Sequence, residues 1–236
     1  KMEHHLEVRL WNEVFTFAQE YIGIPHGTIR ATMLIETIPA AFQMEEFLYE
    51  LRDHASGLNA GRWYYLFSIV KTFRDSTAGD FVLPDRGAVS MTSPFMRAYT
   101  ELLVKTCHRR GGDLGLLAVR DDGGHAAHGA GAAAVAKVRD DKTREAGDGF
   151  DGSWVAHPDL VPVCQEIFDG VLGEKPNQVD RLREEVQVTP AQLLDVAGAS
   201  GEVTEAGLRI NLYVAVAYTA VWLSGNGAVA IHHLME

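Results

Sequence analysis

Between residues 6 and 21 apolar side chains return every three or four positions (Leu6, Leu10, Val14, Phe17, Ala18, Tyr21), the spacing of one stripe on an α-helix. Gly23 and Pro25 follow and close it. The next run, Thr28-Ile29-Arg30-Ala31-Thr32-Met33-Leu34-Ile35-Glu36, is short and rich in β-branched and apolar residues, as expected of a strand buried on both faces. It ends on an acid. Pro39 then opens a second helical pattern through Phe47 and Leu51, and Gly57-Leu58-Asn59-Ala60-Gly61 forms another compact segment bounded by turns. Residues 99–108, 160–172 and 208–223 carry helical spacing, whereas Ser153-Trp154-Val155-Ala156 and Ala228-Val229-Ala230-Ile231 read as strands.

Short buried strands alternating with amphipathic helices predict an α/β fold with a parallel sheet and helices outside it. Acids and glycines fall where strands end, the edge on which barrel enzymes carry their chemistry, so the pattern favours a barrel over an open sheet. Two stretches break the alternation. Residues 173–207 are polar and turn-rich, with a helical fragment at 178–185 and a helix start at Thr189-Pro190, and are expected to form an excursion between barrel units. Residues 111–136 are rich in Gly, Ala and His, weakly periodic, and predict no regular element. The longest apolar run, 212–223, is interrupted by Tyr213, Tyr218 and Thr219. It is short for a bilayer span and predicts a buried helix.

Composition narrows the function classes. A chain of 236 residues, 47% hydrophobic and 22% charged, can bury a substantial core and does not have the composition of a disordered protein. The net charge of −11 disfavours nucleic acid and anionic membrane as partners. Cys107 and Cys164 are too few and too far apart for a disulfide framework or a zinc cluster, and suit a reducing cytoplasm. Lys1-Met2-Glu3-His4-His5 shows no secretory pattern. His4, His5, His125, His128, His232 and His233 lack the accompanying Cys or Asp spacing of a zinc site. Gly225-Asn226-Gly227 follows a helix and precedes a strand, the reverse of the order that binds dinucleotides. Asp85 and Arg86 are expected to form a structural ion pair.

Five landmarks carry a family resemblance: Met33-Leu34-Ile35-Glu36-Thr37-Ile38-Pro39-Ala40, Gly57-Leu58-Asn59-Ala60-Gly61-Arg62-Trp63, Leu83-Pro84-Asp85-Arg86, Asp151-Gly152-Ser153-Trp154-Val155-Ala156-His157-Pro158 and Gly225-Asn226-Gly227. In order and approximate spacing they resemble malate synthases of the isoform A type, from the glyoxylate cycle. The resemblance implies a partial TIM (β/α)8-type barrel, with residues 1–236 forming one incomplete catalytic domain truncated at both ends. The family's N-terminal part, first barrel strands and C-terminal helical region are expected to lie outside it. An incomplete barrel exposes sheet edges and apolar faces, so self-association is expected.

The chemistry so implied is a Claisen condensation of acetyl-CoA with glyoxylate, giving malate and CoA. Mg²⁺ assists by polarising the aldehyde, and Glu36 matches the family's metal-binding glutamate. The family's second metal carboxylate, the aspartate after Arg-Trp, is Tyr64 here. A neutral phenol cannot replace an ionised carboxylate at neutral pH, so Mg²⁺ affinity is expected to fall sharply. Backbone N–H groups around Gly61, Trp63 and Tyr64 remain suited to a small carboxylate such as glyoxylate. Trp154 and Pro158 match the strand end that lines the pocket for the acetyl group and pantetheine.

The family's base, an aspartate after Leu-Met-Glu, is expected directly after Glu236, and its enolate-stabilising arginine before Lys1, so no catalytic residue is assigned within the chain. Residues 112–136 stand where the family has a strand with a Met-Gly-Gly-Met-like motif; matching length with different residues predicts a locally shifted reading frame. Two other readings are a catalytically inactive family fragment and a malyl- or citramalyl-CoA lyase, against which the Arg-Trp and Leu-Met-Glu landmarks argue. The expected location is the cytoplasm, or the peroxisome or glyoxysome in a eukaryote.

Overall fold

The computed structural model describes residues 1–77, 79–114, 118–121, 132–155, 158–231 and 234–235. The first helix, α1 (His5–Ile22), starts where His4 accepts the Leu6 N–H and Glu7 reaches back to the His4 N–H, and it ends at Gly23 with φ 74°. Both ends are thus closed by local hydrogen bonding, as helix termini require. The histidine at position 4 is a cap.

Four strands follow the order of the chain: β1 (Ala31–Ile35), β2 (Ala55–Ala60), β3 (Ala118–Asp121) and β4 (Gly152–Ser153), each parallel to the next. Sequential parallel order without reversal is the progression of a barrel wall. The crossovers are helical. Between β1 and β2 run α2 (Ile38–Ala41) and α3 (Met44–Glu50); between β2 and β3, α4 (Arg62–Phe73) and α5 (Pro94–Leu114); between β3 and β4, α6 (Ala132–Asp148). Strand alternation sends Met33, Ile35, Leu58 and Ala60 into one buried cluster with Phe47, Tyr65, Phe95, Tyr99 and Leu103 of the helices. Thr32, Leu34, Gly57 and Asn59 take the opposite face.

At the other end of the strands buried His54 pairs through Nε2 with Gln19 and through Nδ1 with Asn12, each at 2.8 Å, while Gln19 accepts the Ile29 N–H. These bonds tie α1 to the starts of β1 and β2. Burial holds the His54 imidazole below its ordinary pKa, which suits a neutral structural ring.

Several sequence expectations change here. Residues 57–60 belong to a longer strand, Ala55–Ala60, that runs through Gly61 into α4, a helix hidden by aromatic and β-branched residues whose helical stripe (Tyr65, Leu66, Ile69) only burial reveals. α5 extends past 108, and the 111–136 stretch holds the end of α5, β3 and the start of α6. The rest of that stretch, with His125 and His128, lies outside the described residues, as do His157, His232, His233 and Glu236. No helix forms at 178–185. Arg183 takes φ 54°, Gln178 donates to the Ala146 and Phe150 carbonyls, and Arg181 and Arg183 donate to Gly147 and Asp148. Side chains there satisfy α6 rather than their own backbone.

Beyond β4 a 3-10 turn (Pro158–Leu160) leads into α7 (Val161–Leu172). The helix start at Thr189-Pro190 appears as α8 (Pro190–Leu193), capped by Thr189. The last helix, α9 (Glu205–Leu223), is 19 residues long. It is not a buried helix: Leu208, Leu212, Val216 and Leu223 are largely exposed. An apolar circumference calls for cover, and among the described residues no element supplies it. Counted from Glu205 rather than Leu212, α9 is also long and apolar enough to cross a membrane. Strands β5 (Ala230–Ile231) and β6 (Leu234–Met235) pair antiparallel in a sheet of their own, so the 228–231 strand does not continue the barrel wall. Asp85 accepts the N–H and hydroxyl of Thr204, the N-cap of α9, while the Arg86 guanidinium lies 4.8 Å from the Trp63 ring centroid.

Candidate active site at the strand ends

One register row organises the rim. Ile35 pairs with Ala60, Ala60 with Asp121, and Asp121 with Ser153. The residues that immediately follow the row on β1, β2 and β4 are Glu36, Gly61 and Trp154. Three spacings of about 4.8 Å put the β1 and β4 ends within roughly 14 Å of each other. Three of the predicted site residues are thus brought to the same edge.

Glu36 is 2% exposed and lies against Gly61, where an added Cβ would overlap Oε1, Cγ and Cδ of the glutamate. The glycine is needed for close approach, since its φ of −120° is open to any residue. Gly61 is also the N-cap of α4 and offers no side-chain cap, so the positive end of the helix opens on the rim.

The two strand ends are held by Tyr99. Its buried hydroxyl donates to the Ile35 carbonyl and accepts the Gly61 N–H at 3.0 Å. Its ring stacks on Tyr65 at 4.3 Å between centroids, and the Tyr65 hydroxyl donates to the Leu193 carbonyl at 3.1 Å. Burial pushes the Tyr65 phenol up, so its ring acts as a neutral hydrogen-bonding post. Sequence reasoning missed Tyr99, because in a helical stripe it reads as one more apolar position. It also alters one expectation: the Gly61 N–H is engaged by Tyr99 rather than open to a ligand. Tyr99→Phe keeps the packing and removes both bonds; a loss of about 1–3 kcal/mol, read by urea denaturation, is expected, and an unchanged midpoint would refute the clamp.

Around this clamp the charges are uneven. Burial pushes the Glu36 carboxyl above the usual carboxylate range, and the Lys1 ammonium, 3.4 Å from Oε2, pulls it part of the way back. The same ammonium sits 2.9 Å from the centroid of the Tyr64 ring. Trp63 is half-buried, with the Arg62 guanidinium 4.4 Å from its centroid, and Arg62 donates to the Val89 carbonyl. Asn59, one pleat below Gly61, is fully buried and neither atom of its amide has a hydrogen-bond partner. Trp154 is 38% exposed and Pro158 is exposed at the start of the 3-10 turn.

A hard divalent ion seeks several oxygen ligands. Glu36 offers one carboxylate, already answered by Lys1, and Tyr64 presents its ring face to that same cation. Among the described residues no group of three His, Cys, Asp or Glu is placed to hold a metal. The residues present do not fit Mg²⁺.

A sequential parallel wall with helical crossovers, and with an acid, a glycine-opened helix start and an aromatic side chain along its C-terminal edge, is that of a (β/α)-barrel protein. The family "Malate synthase, TIM barrel domain" matches residues 1–196, and "Malate synthase, C-terminal" matches 202–236. The chain belongs to the malate synthase family. Across its whole length it is 60% identical to a malate synthase of Streptomyces clavuligerus and 51% to one of Myxococcus xanthus (strain DK1622), covering 43% of each. It is 47% identical to a glyoxysomal malate synthase of Glycine max, covering 42% of it. The chain therefore spans less than half the length of these relatives.

Proposed function

We propose that this chain carries the glyoxylate-holding part of a malate-forming acyltransferase. In that reaction a base takes a proton from the methyl of acetyl-CoA, the enolate carbon attacks the aldehyde carbon of glyoxylate, and water then cleaves the malyl thioester to malate and free CoA. The observation that carries the reading is the register row, which gathers Glu36, Gly61 and Trp154 beside the start of α4 on one rim. The positive helix end and the backbone at 62–64 suit the carboxylate of glyoxylate. Gly61 lets the Glu36 carboxylate sit against the start of α4, and Trp154 and Pro158 form the side of the rim toward the thioester. The buried, unpartnered Asn59 amide adds a polar group beneath the same place. Mg²⁺, which the family resemblance implies, finds at Glu36 a single carboxylate that Lys1 already answers.

Mixing the chain, extended at both ends to bring in the base and the arginine that the resemblance implies, with acetyl-CoA, glyoxylate and Mg²⁺ and following free thiol tests the reading. Thiol release that requires glyoxylate and yields malate is the expected result; cleavage of malyl-CoA with no malate formed would favour a lyase. The Lys1 and Tyr64 geometry supports a second reading, a fragment that binds glyoxylate without turnover. Its signature is glyoxylate uptake with no thiol release, and Tyr64→Asp in a chain extended at both ends is then expected to restore activity.

A further inference from the structure

We infer that the cation of this rim is the ammonium of Lys1, held between the Glu36 carboxylate and the Tyr64 ring in place of a metal ion, and that it supplies the positive charge next to the glyoxylate position. Three independent features meet there. Glu36 is buried beside Gly61, so one oxygen face of its carboxylate is closed by backbone. Its buried Oε2 meets the Lys1 Nζ at 3.4 Å. Tyr64 turns its ring face to that Nζ at 2.9 Å, within the range of cation–π attraction. An aromatic face attracts a lysine ammonium, whereas Mg²⁺ holds its water far more tightly and wants oxygen ligands.

The carboxylate and ring therefore select an ammonium over a hard divalent ion. Lys1 remains 39% exposed at its side chain, which lets part of the ammonium face an incoming anion. With its own cation in place, the rim needs no metal to attract a carboxylate. The glyoxylate half of this inference rests on the function proposed above, while the cation half does not.

Calorimetry on the intact chain separates the two. Titrated with MgCl₂ to about 10 mM, beyond the range of ordinary weak divalent sites, the chain is expected to show no saturable heat, and the Lys1→Met/Tyr64→Asp double variant is expected to gain it. Titrated with glyoxylate in EDTA, the unaltered chain is expected to bind, and Lys1→Met to bind at least about tenfold more weakly. Uptake of one Mg²⁺ by the unaltered chain, abolished by Glu36→Gln, would overturn the cation assignment. So would glyoxylate binding in EDTA that Lys1→Met leaves unchanged. Absence of glyoxylate binding under all conditions would instead remove the proposed function, and the Mg²⁺ titration would still decide the cation. Positions 1 and 64 are both well exposed, and circular dichroism confirms folding; should the double variant fail to fold, Lys1→Gln gives the same glyoxylate comparison.

Discussion

Gly61→Ala is expected to destabilise the chain by about 1–3 kcal/mol, the usual cost of forcing a carbon into a closed site, and to dislodge Glu36 from the rim. The added methyl would fall on Oε1, Cγ and Cδ of that side chain. Glu36 cannot simply swing aside, because it is 2% exposed and packed between the ends of β1 and β2. Backbone conformation contributes little, since alanine accepts φ −120°. The effect is therefore steric and has one partner. A double-mutant cycle isolates it: Glu36→Ala in the Gly61→Ala background should recover most of the loss, with a coupling of about 0.5–3 kcal/mol in favour of the double variant. Simple addition of the two single effects would show that the clash is absorbed elsewhere.

That pair also shows what the sequence reveals and what it withholds. The acid at the end of a buried strand and the glycine before Arg62 are both legible as strand-end residues, because period-two burial and turn chemistry are local. α1 and α8 are legible for the same reason, each written in a cap and a stripe within a few residues. α4 is not, since Trp63-Tyr64-Tyr65 fits strand and helix propensity alike, and only packing against Tyr99 and the cluster around it decides. The contacts that define the rim are longer in range: Tyr99 reaches Ile35 and Gly61, and Lys1 reaches Glu36 and Tyr64. Register decides these, and register is a property of the assembled sheet. The family resemblance pointed to Glu36 and the 61–64 segment, but not to the contact that Lys1 makes with both.

The face of α9 sets the second large expectation, self-association of the 25.9 kDa chain. Leu208, Leu212 and Val216 stand four residues apart on one stripe and are 58%, 59% and 71% exposed. Fully covering each such side chain is worth about 1.5–3 kcal/mol, and an isologous pair of α9 helices would cover both copies at once. Association itself costs about 4–15 kcal/mol in lost freedom, so the balance points to a weak dimer rather than a tight one. The net charge of −11 opposes contact at low salt and is screened within about 8 Å at physiological ionic strength. Sedimentation velocity should therefore show mass above the monomer that grows with protein concentration and with added salt. Leu212→Glu/Val216→Glu places two further negative charges in the stripe and should return the chain to monomer. Equal association by that variant would move the contact off α9, and a monomer at every concentration and salt would show that the exposed stripe does not drive pairing.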